Sequence, residues 1–115
     1  MSRIINVREC IGTPSAITQE DGNLIYEEIC KSIDNQEKIE LDFSEIESMI
    51  SPFLNNAIGK LYAKYSSEQI NAYLKLENVP AEKIPTIKIV INNAKRYYSD
   101  KENFEKIAKV VTGND

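Results

Sequence analysis

Three carboxylates and three hydroxyls crowd one short stretch of this chain: Asp42, Ser44, Glu45, Glu47, Ser48 and Ser51. Two kinds of chemistry could use them. Neighbouring carboxylates can divide the work of a general acid and a general base. A serine at the start of a helix can instead hold an anion or carry a phosphoryl group, because the first-turn N–H groups are unpaired and the helix dipole is positive there. The stretch from Leu41 to Tyr62 reads as a buried strand, a short exposed turn and a helix whose N-terminus opens to solvent. Ser51 and Pro52 stand in the order preferred for N-cap and N1.

The rest of the chain argues against catalysis. It contains no histidine, which removes the commonest general base at neutral pH and every Ser/His/Asp or Cys/His arrangement. Its two cysteines, Cys10 and Cys30, are too few for a metal site without imidazole partners. They read as free thiols that pack like small apolar side chains. Acids beside a strand end with neither a metal motif nor a nucleophile are usually solvated, so Asp42, Glu45 and Glu47 read that way. No metal or cofactor is implied, and the expectation is a protein that is not an enzyme.

Charge narrows the partners. The formal net charge is −4, which disfavours tracking along nucleic-acid phosphates. One basic pair, Lys95-Arg96, precedes Tyr97-Tyr98 and could in principle stack on a base. The simpler reading is a helix ending in cations that suit its C-terminal dipole. Gly22 lies near the glycine-containing loop 12–18, yet neither a Gly-x-Gly-x-x-Gly run nor a Walker-type motif is present. Gly22 therefore reads as a point of close packing. The longest apolar runs are only a few residues, and the start Met-Ser-Arg-Ile-Ile-Asn-Val lacks the long apolar core of a signal peptide. The expected setting is cytoplasmic, with no membrane association.

These residues need a scaffold, and 115 residues suffice for one core. At 42% apolar and 28% charged the composition is that of an ordinary globular domain. Arg3 to Glu9 alternates as a strand; 11–17, broken by Gly12 and Pro14, is a loop. Thr18 with Asp21 opens a helix over residues 19–34, with Ile25, Ile29 and Ile33 on its apolar side. Lys38 to Phe43 is the central strand, and a second helix runs from Pro52 to Ser66 with Leu54, Ile58, Leu61 and Tyr65 inward. Gly59 inside that helix predicts a close neighbour. Ala72 to Glu77 forms a third strand, a further helix follows from Thr86, and a last helix spans about 100–111 with Phe104, Ile107, Ala108 and Val111 on one side. Residues 112–115 are expected to fray. The order predicts an α/β fold: one domain over 1–115, its core about 3–98, built on a small, mostly parallel β-sheet covered by about four helices.

The residues also carry a resemblance. The strand ending Leu41-Asp42-Phe43-Ser44, the turn Ile46 to Ile50 and the helix beginning Ser51-Pro52-Phe53-Leu54-Asn55-Asn56 resemble STAS domains, the fold of bacterial anti-sigma-factor antagonists. More closely, Leu-Asp-Phe-Ser followed by Ile-Ser-Pro-Phe-Leu-Asn-Asn-Ala-Ile-Gly-Lys-Leu-Tyr is similar to a bacterial STAS-like family of unknown function. The resemblance covers roughly residues 3 to 98. It implies a regulatory module that binds a partner protein, with an ATP-binding, histidine-kinase-like protein as the candidate class. In the antagonists that partner phosphorylates a serine at the start of the second helix, and the added charge ejects it.

This chain departs from that pattern. Aligned on the leucine that follows, the phosphorylated position falls on Pro52, which has no hydroxyl. Ser51 is then the candidate phosphorylation site, displaced by one residue. The resemblance places the partner surface at Ser48, Ile50, Ser51, Pro52, Phe53, Asn55 and Asn56, with Phe53 either an exposed anchor or part of the core. An alternative is a small-ligand or nucleotide-binding module using the same helix N-terminus and the 12–18 loop, at the strand ends where open α/β sheets bind ligands.

Overall fold

The first strand stops sooner than its alternation suggests. In the computed structural model, which describes residues 2–112 and the side chains of 2–99, β1 spans Ser2–Asn6 and is followed at once by α1, Val7–Ile11. Asn6 causes the change: its side-chain oxygen accepts the Glu9 N–H at 3.0 Å and caps the helix. Gly12 ends it in the left-handed region at φ 79°, its N–H donating to the Arg8 carbonyl. A short polar side chain has here offered the backbone a local alternative to the sheet. Val7, expected on a strand, is buried from a helix instead.

The expected loop 11–17 and the turn 46–50 each hold a two-residue strand. β2 (Ser15–Ala16) pairs in parallel with β4 (Ser48–Met49), placing Ser15 opposite Ser48 and Ala16 opposite Met49. Both Ala16 and Met49 are buried. Two residues carry no period to read, so only long-range pairing reveals such strands.

α2 occupies Gln19–Asp34, capped by Thr18, whose hydroxyl accepts the Asp21 N–H at 3.1 Å. Ile25, Ile29 and Ile33 face the core as the four-residue spacing requires. β3 (Lys38–Asp42) is the central strand, flanked in parallel by β1 and by β5 (Leu74–Glu77). Register puts Arg3, Ile39 and Leu74 in one row and Ile5, Leu41 and Leu76 in another on the same face. Ile39, Leu41 and the following Phe43 are buried. The opposite face carries the row Ile4, Glu40 and Lys75, and Ile4 is 71% exposed. One face of this parallel sheet thus meets solvent, where parallel sheets are ordinarily covered on both.

After β4 the chain is helical from 51 to 64, but not uniformly. α3 (Ser51–Leu54) passes into a π turn (Asn55–Gly59) and resumes as α4 (Leu61–Lys64). The Lys60 N–H donates to the Asn55 carbonyl at 3.0 Å, one residue further back than an α-helix would reach. α5 (Ser67–Tyr73) replaces the first part of the expected third strand, because Ser66 and Gln69 form a reciprocal capping box. A 3₁₀ turn (Ala81–Lys83) leads into α6 (Ile84–Thr112). This last helix is continuous through residues 99–100, where two helices were expected. Ile87, Val90 and Ala94 turn inward from it. The expected apolar side Phe104, Ile107, Ala108 and Val111 lies outside the described side chains, and 113–115 outside the described residues.

The result is an α/β domain of small parallel sheets and several helices, with one apolar cluster joining β3, α2, the 51–64 helix and α6. Among the described residues no helix is long and apolar enough to cross a membrane.

Candidate functional site

The turn from β4 into α3 is pinned at its base. Pairing with β2 holds Ile50 extended (φ −127°, ψ 167°), its N–H donating to the Ala16 carbonyl at 3.1 Å. The Ile50 carbonyl accepts the Leu54 N–H, so Ile50 is the N-cap residue, Ser51 is N1 and Pro52 is N2. This corrects the expected assignment of Ser51 to N-cap and Pro52 to N1 by one position. An apolar residue at the cap supplies no side-chain acceptor, and α3 has no side-chain cap hydrogen bond. The Ser51 side chain is exposed and is not spent on capping.

Beneath the turn, Phe53 and Leu54 are fully buried. Phe53 therefore belongs to the core, which corrects the reading that offered it as an exposed anchor; α2 packs against this first turn, with Gly22 beneath the Phe53 carbonyl. The exposed apolar side chain is Ile50, at 44%. Ser48, Ser51, Pro52 and Asn55 are exposed around it. Asn56 differs from its neighbours: its amide donates to the Gln19 carbonyl at 3.2 Å and fastens the π turn to the start of α2. Lys60 makes a second fastening, its ammonium donating to Asn23 Oδ1 at 2.6 Å and lying 4.5 Å from the Tyr26 ring. Neither Asn23 nor Lys60 was foreseen; the one signal was Gly22, whose position in the first turn of α2 marked a close approach.

Two of the carboxylates before the turn, Asp42 and Glu45, are occupied structurally, while the Glu47 side chain is exposed. Asp42 accepts the Asn78 amide at 3.0 Å and the Ser44 N–H at 2.9 Å. Those bonds, the Asn78 one foremost, hold its carboxyl below the usual range and keep it ionised. Glu45 accepts the Asn6 amide at 2.6 Å and lies 3.6 Å from the Arg8 guanidinium. A proton carrier at neutral pH would need the shift opposite to that of Asp42. The cysteines are quiet too: Cys10 and Cys30 are free thiols, and burial foremost, then the charge of Glu28, pushes the Cys10 thiol up.

The 12–18 loop fits a phosphate poorly. The hollows beside it are lined by Arg8, Glu9, Glu45 and Glu47 together with Gly12 and Pro14, so carboxylates outnumber the one guanidinium, itself facing Glu45. Gly12 is open, with nothing near the place a β-carbon would take. Its role is to end α1.

The candidate surface is thus a strand-paired turn bearing one exposed isoleucine among small polar side chains. Neither curated proteins nor solved structures give a significant match to the chain. A family model described as a STAS-like domain of unknown function (DUF4325) matches residues 21–83, which takes in most of α2, the central strand, the turn, the π-interrupted helix and β5. That span exceeds half of the 115 residues, and the chain belongs to this STAS-like family.

Proposed function

We propose that this domain is a non-catalytic, regulatory interaction module that binds a partner protein through the β4–α3 turn and the first turns of the helix that follows. The observation that carries the reading is Ile50: an apolar side chain held half out of the surface by strand pairing, over a buried Phe53 and Leu54 and beside exposed Ser48, Ser51, Pro52 and Asn55. A rigid apolar anchor with a polar rim is what a protein interface uses at its centre. By its STAS-like character the candidate partner is an ATP-binding, kinase-like protein, and the candidate regulated residue is Ser51. A phosphoryl group there adds nearly two negative charges at the edge of the anchor, enough to expel a surface fitted to a neutral hydroxyl. The free thiols suit a reducing, cytoplasmic setting.

The test is recovery of partners from cells on the tagged full-length chain, with and without ATP, compared with Ile50→Asp and Ser51→Glu. A stoichiometric protein retained by the wild type and lost by both variants is the expected result. A partner set indifferent to both substitutions removes the turn as the contact surface. Intact-mass measurement of the chain from the same cells counts the modification and peptide fragmentation places it, with a single phosphoryl group on Ser51 expected.

A further inference from the structure

The other end of the same helix opens onto a different kind of surface. Where α4 gives way to α5, the chain crosses α6 and leaves a cleft of about 750 Å³ between residues 62–67 and 95–99. That size suits a small organic ligand. Lys95 and Arg96 enter it from α6 and Lys64 from α4, and no carboxylate is among its described lining residues. In a chain of net charge −4 this is a local reversal of sign.

The two α6 cations have no helix-end explanation. Read from sequence, Lys95 and Arg96 close a helix and answer its C-terminal dipole. In the structure α6 runs on to Thr112, so they stand in its interior, far from the last turn where that effect operates. Lys64 is partly engaged, 3.6 Å from Asp34 and over the Tyr65 ring. Lys95 and Arg96, among the described residues, have no carboxylate within 4 Å. The Lys95 ammonium instead lies 5.8 Å from the Tyr62 ring, and half-buried Tyr62 and Tyr98 present aromatic surface to the cleft beside the Ser67 hydroxyl.

A guanidinium and an ammonium lining one cleft can recognise phosphate. Aromatic rings within reach of them recognise a flat π-system. From this juxtaposition we infer a binding site for a small phosphorylated aromatic ligand of nucleotide type, its phosphates on Lys95 and Arg96 and its ring against Tyr62. The site stands apart from the Ile50 turn, and it is also not the 12–18 loop, where carboxylates prevail.

Titration of the isotopically labelled full-length chain with ATP and with GTP, followed by amide NMR, tests this. At least one nucleotide is expected to give saturable shifts concentrated in 62–67 and 95–99. Lys95→Glu and Arg96→Glu, both exposed, should each weaken binding by about tenfold, the worth of one charge-assisted hydrogen bond. Lys88→Glu, which makes the same charge change elsewhere on α6, should not. Adenosine and tripolyphosphate, each lacking half of the recognised chemistry, should bind more weakly than ATP. The inference is overturned if neither nucleotide gives saturable shifts, if the shifts gather at 12–18 or 48–56, or if the charge reversals at 95 and 96 do no more than Lys88→Glu. It is equally overturned if a short single-stranded oligonucleotide outcompetes the mononucleotides, which would make the cleft a track for nucleic acid. Absence of binding at 62–67 and 95–99 leaves partner binding at Ile50 untouched, since the Ile50→Asp pull-down reads that surface separately.

Discussion

Gly22 of α2 sits directly under the carbonyl of Phe53: a β-carbon at position 22 would stand 2.5 Å from that oxygen and 2.9 Å from Asn56 Cβ. Both are backbone or next to it, so neither can swing aside. Gly22→Ala should therefore push α2 away from the start of the second helix and destabilise the domain by about 1–3 kcal/mol. Gly59, a helical glycine that faces α6 instead, is the control. Its added β-carbon would meet Ala94 and Val90 at 3.7 and 3.8 Å, ordinary contact distances. Gly59→Ala should be neutral or stabilising by up to about 1 kcal/mol. Urea denaturation of the two variants checks the pair, and equal effects at both positions would contradict the packing.

Phe53 and Ile50 should separate stability from recognition. Phe53 is fully buried, and Phe53→Ala should cost about 3–5 kcal/mol, a large part of what a domain of this size possesses. Ile50→Asp should change stability by about 1 kcal/mol or less while abolishing partner recovery. Thermal melts beside the partner pull-down read both quantities on the same samples.

Arg3 ties β1 to α2. Its guanidinium donates to Glu28 Oε1 at 2.6 Å and to the Ser32 hydroxyl at 2.8 Å, and Ser32 is fully buried. Arg3→Leu leaves that hydroxyl without its partner and should cost about 1–3 kcal/mol. The same contact, foremost by its hydrogen bond and then with the Lys31 bond, holds the Glu28 carboxyl below its ordinary value of 4.5. A depressed carboxylate binds fewer protons folded than unfolded, so its stabilisation is present above the ordinary value and is lost as pH falls through the folded one. The stability gap between wild type and Arg3→Leu should accordingly be widest near neutrality and narrow below about pH 4. Denaturation curves across that range measure it, and a gap independent of pH would rule out the ionic contribution.

Ser66 caps α5, which takes Ala72 and Tyr73 from the expected third strand. The Ser66 hydroxyl accepts the Gln69 N–H at 3.1 Å, and the Ser66 N–H donates in return to Gln69 Oε1 at 3.1 Å. Ser66→Ala should cost about 1 kcal/mol and raise amide exchange in α5 ahead of exchange in β3. Uniform exchange across both elements would mean that the cap is not holding α5 locally.

Much of this protein was determined by its sequence alone. The spacing of Ile25, Ile29 and Ile33 behind Thr18 defines α2 to the residue, and Ile39, Leu41 and Phe43 define the buried face of the central strand, because periods of 3.6 and 2 are local properties of the chain. The stretch from Leu41 to Tyr62 pointed to the STAS-like family by resemblance, and the family match over 21–83 includes it. What the tertiary structure decided are the features that no window of residues contains. The β2–β4 pair exists only because 15–16 and 48–49 meet, and that meeting makes Ile50 rather than Ser51 the cap residue and sends Phe53 into the core. The same holds for the Lys95-Arg96 pair, which changes from a helix ending into the wall of a cleft once α6 is seen to continue past it. A side chain's neighbours along the chain set its conformation, whereas its burial and its partners are set by segments that pack against it from elsewhere in the fold.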